Sequence, residues 1–231
     1  MVRMIMHGCN GAMGQVITGL VSQMEDIAIV AGIDMADNKQ NEYPVFTSLE
    51  DCDVAADVIV DFASVKAVDH LLDYCAAKKL PVVVCTTGLS EEQTAKVAET
   101  AKEVAVLRSA NMSLGINVLL ELVKKAASVL GDSYDIEIVE RHHRRKVDAP
   151  SGTALMIADA AAGACGHETE YVFERHSVRH PRDKKEIGIS AVRGGTIVGE
   201  HEILFCGPDE VITLSHSAGS RRVFANGAVN A

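Results

Sequence analysis

The stretch VRMIMHGCNGAMGQVITGL, Val2 to Leu20, joins a short apolar run to a turn with glycines at 8, 11 and 14 and then to an amphipathic run. A strand that enters a glycine turn and leaves as a helix is the context a phosphate-binding loop requires. Glycines let the backbone turn tightly and approach a pyrophosphate, and the helix N-terminus supplies N–H donors with partial positive charge. The spacing is GxxGxxG, with Asn10, a residue that tolerates a left-handed backbone, in the middle of the turn. The next strand-like run, IAIVAGID, ends in Asp34, 20 residues beyond Gly14, where a dinucleotide fold places the acid that binds the adenosine ribose hydroxyls. A carboxylate there repels a ribose phosphate, so NADH is expected to serve at least as well as NADPH. Lys39 is a counterweight if its loop folds back.

Outward from this stretch, strand-length apolar runs alternate with helix-length amphipathic ones: DVIVDF then SVKAVDHLLDYCAAKK, PVVVCTTG then SEEQTAKVAETAKE, and VAVLRSAN. That alternation predicts an α/β, doubly wound domain on a parallel sheet buried on both faces. The turns CTTG (Cys85 to Gly88) and SANM (Ser109 to Met112) fall at the carboxyl ends of predicted strands, the edge at which open α/β sheets bind ligands. Simple turn chemistry explains their composition equally well. From Gly115 the pattern changes: a long helical run leads to a strand, YDIEIVE, a helix from Ser151, and three strand-like stretches, EIGISAVRGG, TIVGEHEILFCG and EVITLSHSA. The second half reads as mainly strands with covering helices. The final SRRVFANGAVNA starts like a helix and stops after about three turns, an expectation that the natural protein continues.

At 231 residues the chain can bury a sizeable core. Its formal net charge of -10 disfavours nucleic acid and anionic membranes as partners. No apolar run reaches membrane-spanning length, and the N-terminus lacks the apolar region of a signal peptide. The six cysteines are scattered with no CxxC pair, which suits reduced thiols and a cytoplasmic location.

One segment runs against the acidic balance. RHHRRKVDAPSGTA, Arg141 to Ala154, sets four cations and two adjacent histidines before a helix start in which Ser151 is the expected N-cap. The first-turn N–H groups of Gly152 and Thr153 form a carboxylate cradle. Histidine can donate a proton or hold an anion near neutrality, and lysine can donate to a developing negative centre. His142, His143 and Lys146, placed after a strand and converging on that helix, therefore read as a receptor for a small polycarboxylate. No nucleophile elbow surrounds Ser151. His176 and His180 are four apart but lack the glutamate of a metal-hydrolase pattern, so no metal is expected.

ERHHRRKVDAPSGTAL, with GCNGAMG, DFAS, CTTG, SANMSLGIN and RGGTIVGEHEILF, closely resembles the 4-hydroxy-tetrahydrodipicolinate reductase (dihydrodipicolinate reductase) family, over nearly the whole chain. The resemblance implies a Rossmann dinucleotide-binding domain over 1–112, to which 222–231 returns. It also implies an α+β substrate-binding and oligomerisation domain over 113–221, whose mixed sheet assembles a homotetramer. By matching positions, Gly8, Cys9, Asn10, Gly11, Ala12 and Met13 would hold the pyrophosphate and Asp34 the ribose. Cys85, Thr86 and Thr87 with Ser109, Ala110, Asn111 and Met112 would flank the nicotinamide. His142 matches a proton donor/acceptor and Lys146 a proton donor; His143, Gly152 and Thr153 match groups that bind the carboxylates of a cyclic dicarboxylate substrate. Three departures stand out: Cys85 replaces a common glycine and would tighten the cofactor pocket, Met35 stands where some relatives carry an arginine that aids NADPH, and the chain ends before the final helix that returns to the nucleotide domain. The rival expectations are another Rossmann reductase of a small dicarboxylate and a non-catalytic NAD(H) sensor.

Overall fold

A computed structural model describes residues 1–36 and 38–231. The chain divides into two compact units, Met1–Met112 with Arg221–Ala231, and Ser113–Ser220.

In the first unit the strands are β1 (Val2–His7), β2 (Ile27–Ile33), β3 (Val45–Phe46), β4 (Val58–Asp61), β5 (Val82–Val84) and β6 (Val106–Arg108). They form one sheet in the order β3-β2-β1-β4-β5-β6, with every pairing parallel. The chain winds outward in both directions from the β1/β4 boundary, the doubly wound arrangement expected from the alternation. Met4, Ile5 and Met6 are almost wholly buried, as a central strand covered on both faces must be. The helices are α1 (Ala12–Val21), α2 (Val68–Lys78), α3 (Glu91–Thr100) and α6 (Arg222–Val229). Ser90 starts α3 with a reciprocal capping box to Gln93, satisfying two N–H groups that the helix geometry leaves unpaired. β3 is a two-residue strand reached through a loop from β2, and no run in the sequence announced it.

The carboxyl-terminal segment belongs to the first unit. Arg222–Val229 forms a helix that packs on α1, and Ala225 and Ala228 enter a core cluster with Ile17 and Val21. Small side chains on that face let the two helices come close.

The second unit holds β7 (Asp135–His142), β8 (Glu170–Val172), β9 (Glu186–Arg193), β10 (Glu200–Cys206) and β11 (Val211–Ser217), in the order β11-β10-β7-β9-β8. β7, β9 and β8 run parallel, while β10 is antiparallel to both β7 and β11, so the sheet is mixed. α4 (Leu114–Leu130) and α5 (Gly152–Ala162) pack on each other and on Ile136, Ile138, Ile187, Ile189, Ile203 and Phe205. Ala154, Ala158 and Ala161 give α5 a flat buried side.

Candidate active site

Two groups of residues carry the chemistry, one in each unit. In the first, β1 ends at His7 and the chain turns through Gly8 with a φ of 83°. A Cβ at Gly8 would lie 2.7 Å from the Phe62 carbonyl oxygen, so both conformation and space require glycine. A Cβ at Gly14 would stand 2.3 Å from the Gly8 carbonyl oxygen, so the first turn of α1 closes tightly on the loop. Gly11 caps α1 without a side-chain hydrogen bond, leaving the first-turn N–H groups of Ala12 and Met13 without intrahelical acceptors.

Asp34 follows β2 and is tied to this loop. Its Oδ2 accepts the Asn10 backbone N–H at 2.8 Å and its Oδ1 accepts that of Met35 at 2.8 Å. The Asn10 side chain donates to the Ala36 carbonyl and accepts from Asn41 Nδ2 at 2.9 Å, and Gln15 Nε2 reaches both the Cys9 carbonyl and Asn41. A cavity of about 500 Å³ opens here, lined by His7, Gly8, Gly11, Asp34, Lys39 and His70 among others. Lys39 thus shares a cavity with Asp34, the fold-back on which its counterweight role depended. A glycine loop with no room for side chains, a helix N-terminus and a carboxylate on one cavity fit a dinucleotide's pyrophosphate and ribose.

The remaining residues expected at the cofactor are arranged differently. The Cys9 side chain is fully buried, so its backbone alone faces the loop. Cys85 is also buried in the core, where burial pushes its thiol far above the ordinary range. Thr86 turns its hydroxyl inward to Asp61 at 2.6 Å, while Thr87 is exposed. Ser109 Oγ accepts the Asn111 N–H and donates to the Asn111 carbonyl, closing the SANM turn with Ala110 at its exposed tip and Met112 buried beneath. Two residues that sequence reasoning did not single out hold these strand ends together. Asp61, fully buried, accepts from Thr86, from the Ala63 N–H at 3.1 Å and from His7 Nδ1 at 2.8 Å. The available signal was a carboxylate closing the apolar run VIVD.

In the second unit, β7 reaches two residues further than YDIEIVE suggested, through Arg141 to His142. His142 is its last residue, paired with Arg193 of β9, so it lies on the strand and not after it. Ile136, Ile138, Glu140 and His142 occupy one buried face, which changes from aliphatic to ionisable at Glu140. Glu140 is fully buried. Its Oε2 accepts His142 Nδ1 and an Arg193 nitrogen, each at 2.7 Å; its Oε1 accepts the other Arg193 nitrogen at 2.7 Å and the Ser151 backbone N–H at 2.9 Å. Ser151 caps α5 as expected, its Oγ accepting the Ala154 N–H at 3.1 Å, and the same oxygen lies 3.0 Å from His201 Nε2. Gly152 is exposed at the first position of α5, with Thr153 beside it.

Lys146 lies in the turn after β7: its backbone N–H bonds the His143 carbonyl at 3.0 Å, and its Nζ pairs with Asp148 at 2.9 Å. Arg193 also donates to the Asp148 carbonyl. His143 Nδ1 is buried with no hydrogen-bond partner among the described residues. Glu140, Arg193 and His201 were given no role in the sequence reading, although all three lie inside the motifs ERHHRRKVDAPSGTAL and RGGTIVGEHEILF. His176 and His180 sit on an exposed loop. Among the described residues, no three histidine, cysteine or carboxylate side chains cluster as metal ligands, and no helix is long and apolar enough to cross a membrane.

The electrostatics sort these groups. Burial works to raise the Glu140 pKa, but donors from Arg193, His142 and Ser151 outweigh it and the net shift is downward, so Glu140 is a carboxylate at neutral pH. Burial lowers the His142 pKa, with Lys146 and Arg193 adding to it and Glu140 opposing. His142 is accordingly a mainly neutral imidazole with its Nδ1 engaged by Glu140. The arrangement can accept and return a proton at Nε2, hold a carboxylate at a helix N-terminus, and present a lysine beside both.

Comparison with known proteins adds an independent finding. A family model described as dihydrodipicolinate reductase, N-terminus, matches residues 2–112, and one described as dihydrodipicolinate reductase, C-terminus, matches 115–231. A 4-hydroxy-tetrahydrodipicolinate reductase of Caldanaerobacter subterraneus subsp. tengcongensis is 52% identical over all of this chain and 91% of its own length. The corresponding protein of Clostridium novyi is 47% identical with the same coverage. Among solved structures, a dipicolinate-bound dihydrodipicolinate reductase from Paenisporosarcina sp. TG-14 superposes with a TM-score of 0.80 at 27% identity, covering 99% of this chain and 92% of that one.

Proposed function

The chain belongs to the dihydrodipicolinate reductase family, and from that premise we propose that it reduces 4-hydroxy-tetrahydrodipicolinate to tetrahydrodipicolinate, with loss of water, in lysine and diaminopimelate synthesis. The observation that carries the reading is the Glu140 carboxylate joining His142 to the N-terminus of α5. That bond holds a proton-transfer group and an anion cradle together, which a cyclic dicarboxylate substrate needs.

In this reading Gly8 to Met13 and Asp34 hold the dinucleotide, with the Cys85–Thr87 and Ser109–Met112 turns on the nicotinamide side. When bound, the reduced cofactor supplies the hydride. The N–H groups of Gly152 and Thr153, with His143, orient the substrate carboxylates. Neutral His142 accepts and returns a proton at Nε2, and Lys146 donates the proton that balances the hydride. NADH serves at least as well as NADPH, because Asp34 opposes a ribose phosphate; Lys39, on the same cavity, keeps NADPH usable.

The protein works as a cytoplasmic homotetramer. Supporting this, the six cysteines are all free thiols. α4 and α5 cover one face of the mixed sheet and leave the other open, with Val192 and Val211 exposed beside the ion pairs of Arg141 with Glu200 and Glu202, a mixed surface suited to meeting another copy.

The decisive experiment is NADH oxidation by the purified chain, with substrate made fresh from pyruvate and aspartate semialdehyde, repeated with NADPH. Substrate-dependent oxidation is expected; measurable NADH binding with no oxidation would overturn the reading in favour of a sensor or a different dicarboxylate. Light scattering on the same preparation checks the tetramer.

A further inference from the structure

We infer that Glu140 is the positioning residue of this site: its carboxylate fixes which ring nitrogen of His142 carries the proton and ties that ring to the α5 cradle and the Lys146 turn. The kinetic consequence rests on the functional reading above; the geometry does not.

A carboxylate offers about four lone-pair sites. In Glu140 they face His142 Nδ1, two Arg193 nitrogens and the Ser151 N–H, at 2.7 to 2.9 Å. An acceptor-only group obliges the histidine nitrogen against it to donate. Neutral His142 therefore carries its proton on Nδ1 and leaves a bare lone pair on Nε2, the atom lying 3.0 Å from where a Cβ at Gly199 would stand. The opposite tautomer would aim an N–H outward and could accept nothing there. The Ser151 bond fixes the start of α5 to the same carboxylate. The Arg193 fork extends the tie to the Asp148 carbonyl, and Asp148 in turn pairs with Lys146. The charged and titratable groups acting on His142 are Glu140, Arg193, Lys146 and, edge-on, His201.

Nitrogen-15 NMR of the full chain labelled at histidine tests this, with the His142 resonance assigned by difference against His142→Gln. Wild type is expected to show the Nδ1–H tautomer in its neutral form. Glu140→Gln, whose amide can donate to Nδ1, should shift His142 towards Nε2–H and move its titration to lower pH. Its kcat should fall roughly 100-fold or more while NADH affinity stays within about twofold. Arg193→Gln should keep the Nδ1–H tautomer and raise KM, since it removes the fork on Glu140 and the tie to Asp148 while leaving the bond between Glu140 and His142 in place. An Nε2–H tautomer in wild type overturns the inference, even if Glu140→Gln fails to fold. So does a Glu140→Gln protein with wild-type tautomer and turnover, or a tautomer that flips in Arg193→Gln. If wild type shows the Nδ1–H form yet never turns over the dicarboxylate, the functional reading fails and the positioning assignment stands.

Discussion

The rings of His142 and His201 meet edge to face, with centroids 5.3 Å apart and planes at 74°. Two imidazoles so placed cannot both hold a proton cheaply, and burial, followed by the charge of His142, pushes the His201 pKa down to about 4. His201 is neutral through the physiological range, and Ser151 links it to the start of α5.

The depressed His201 makes stability fall with acid. Between its unfolded value near 6.5 and its folded value of about 4, the unfolded chain binds the extra proton, so stability rises with pH across that window. The contribution is on the order of 3 kcal/mol. Denaturant titrations at pH 4.5 and 7 should show it, and His201→Gln should flatten the difference while retaining a partner for Ser151.

Lys146→Ala should lower kcat by about 100-fold or more with NADH affinity nearly intact. Stopped-flow turnover and fluorescence binding separate the two quantities. Parallel loss of both would mean that the pair with Asp148 is only a structural clasp.

Asp61→Asn should cost roughly 3 kcal/mol of stability, because one amide cannot serve the His7, Thr86 and Ala63 donors that the buried carboxylate now satisfies. NADH affinity should fall as well, since His7 lines the cavity and Thr86 belongs to the adjoining turn. Urea denaturation and isothermal titration measure both effects.

Lys39→Ala should weaken NADPH several-fold more than NADH, a ribose phosphate being the only added charge that the lysine can meet. Asp34→Ser should move preference in the other direction, towards NADPH. Competition between the two cofactors at low salt reads the ratio, and raising the salt should shrink the Lys39 effect.

The doubly wound half was readable because its strands are continuous apolar runs and its helices carry caps and amphipathic repeats. Val45–Phe46 and Glu170–Val172 were not, since two or three residues are too short to show alternation. In the site, the SGTA helix start and the paired histidines were visible as residue types in a row. Glu140 was hidden by the habit of reading a charge at the end of a strand as its exposed end. The alternation IEIVERH holds through it, so the buried face continues from Ile138 to Glu140 to His142. The inward turns of Cys85 and Thr86, just past the end of β5, depend on the core around Cys85 and on the Asp61 carboxylate that Thr86 meets, which composition does not encode. The placement of Arg193 and His201 is set by strand register, Arg193 against His142 and His201 against Glu140.

The return of α6 to α1 has a consequence for the order in which the protein is made. Ile17 and Val21 emerge from the ribosome early, but Ala225 and Ala228, which share their core cluster, are added only after all of Ser113–Ser220 has been translated. At ordinary elongation rates that interval is roughly 5 to 20 s. Throughout it the nascent first unit presents one bare helix side to chaperones and to neighbouring chains, and the length of the inserted unit sets how long that exposure lasts.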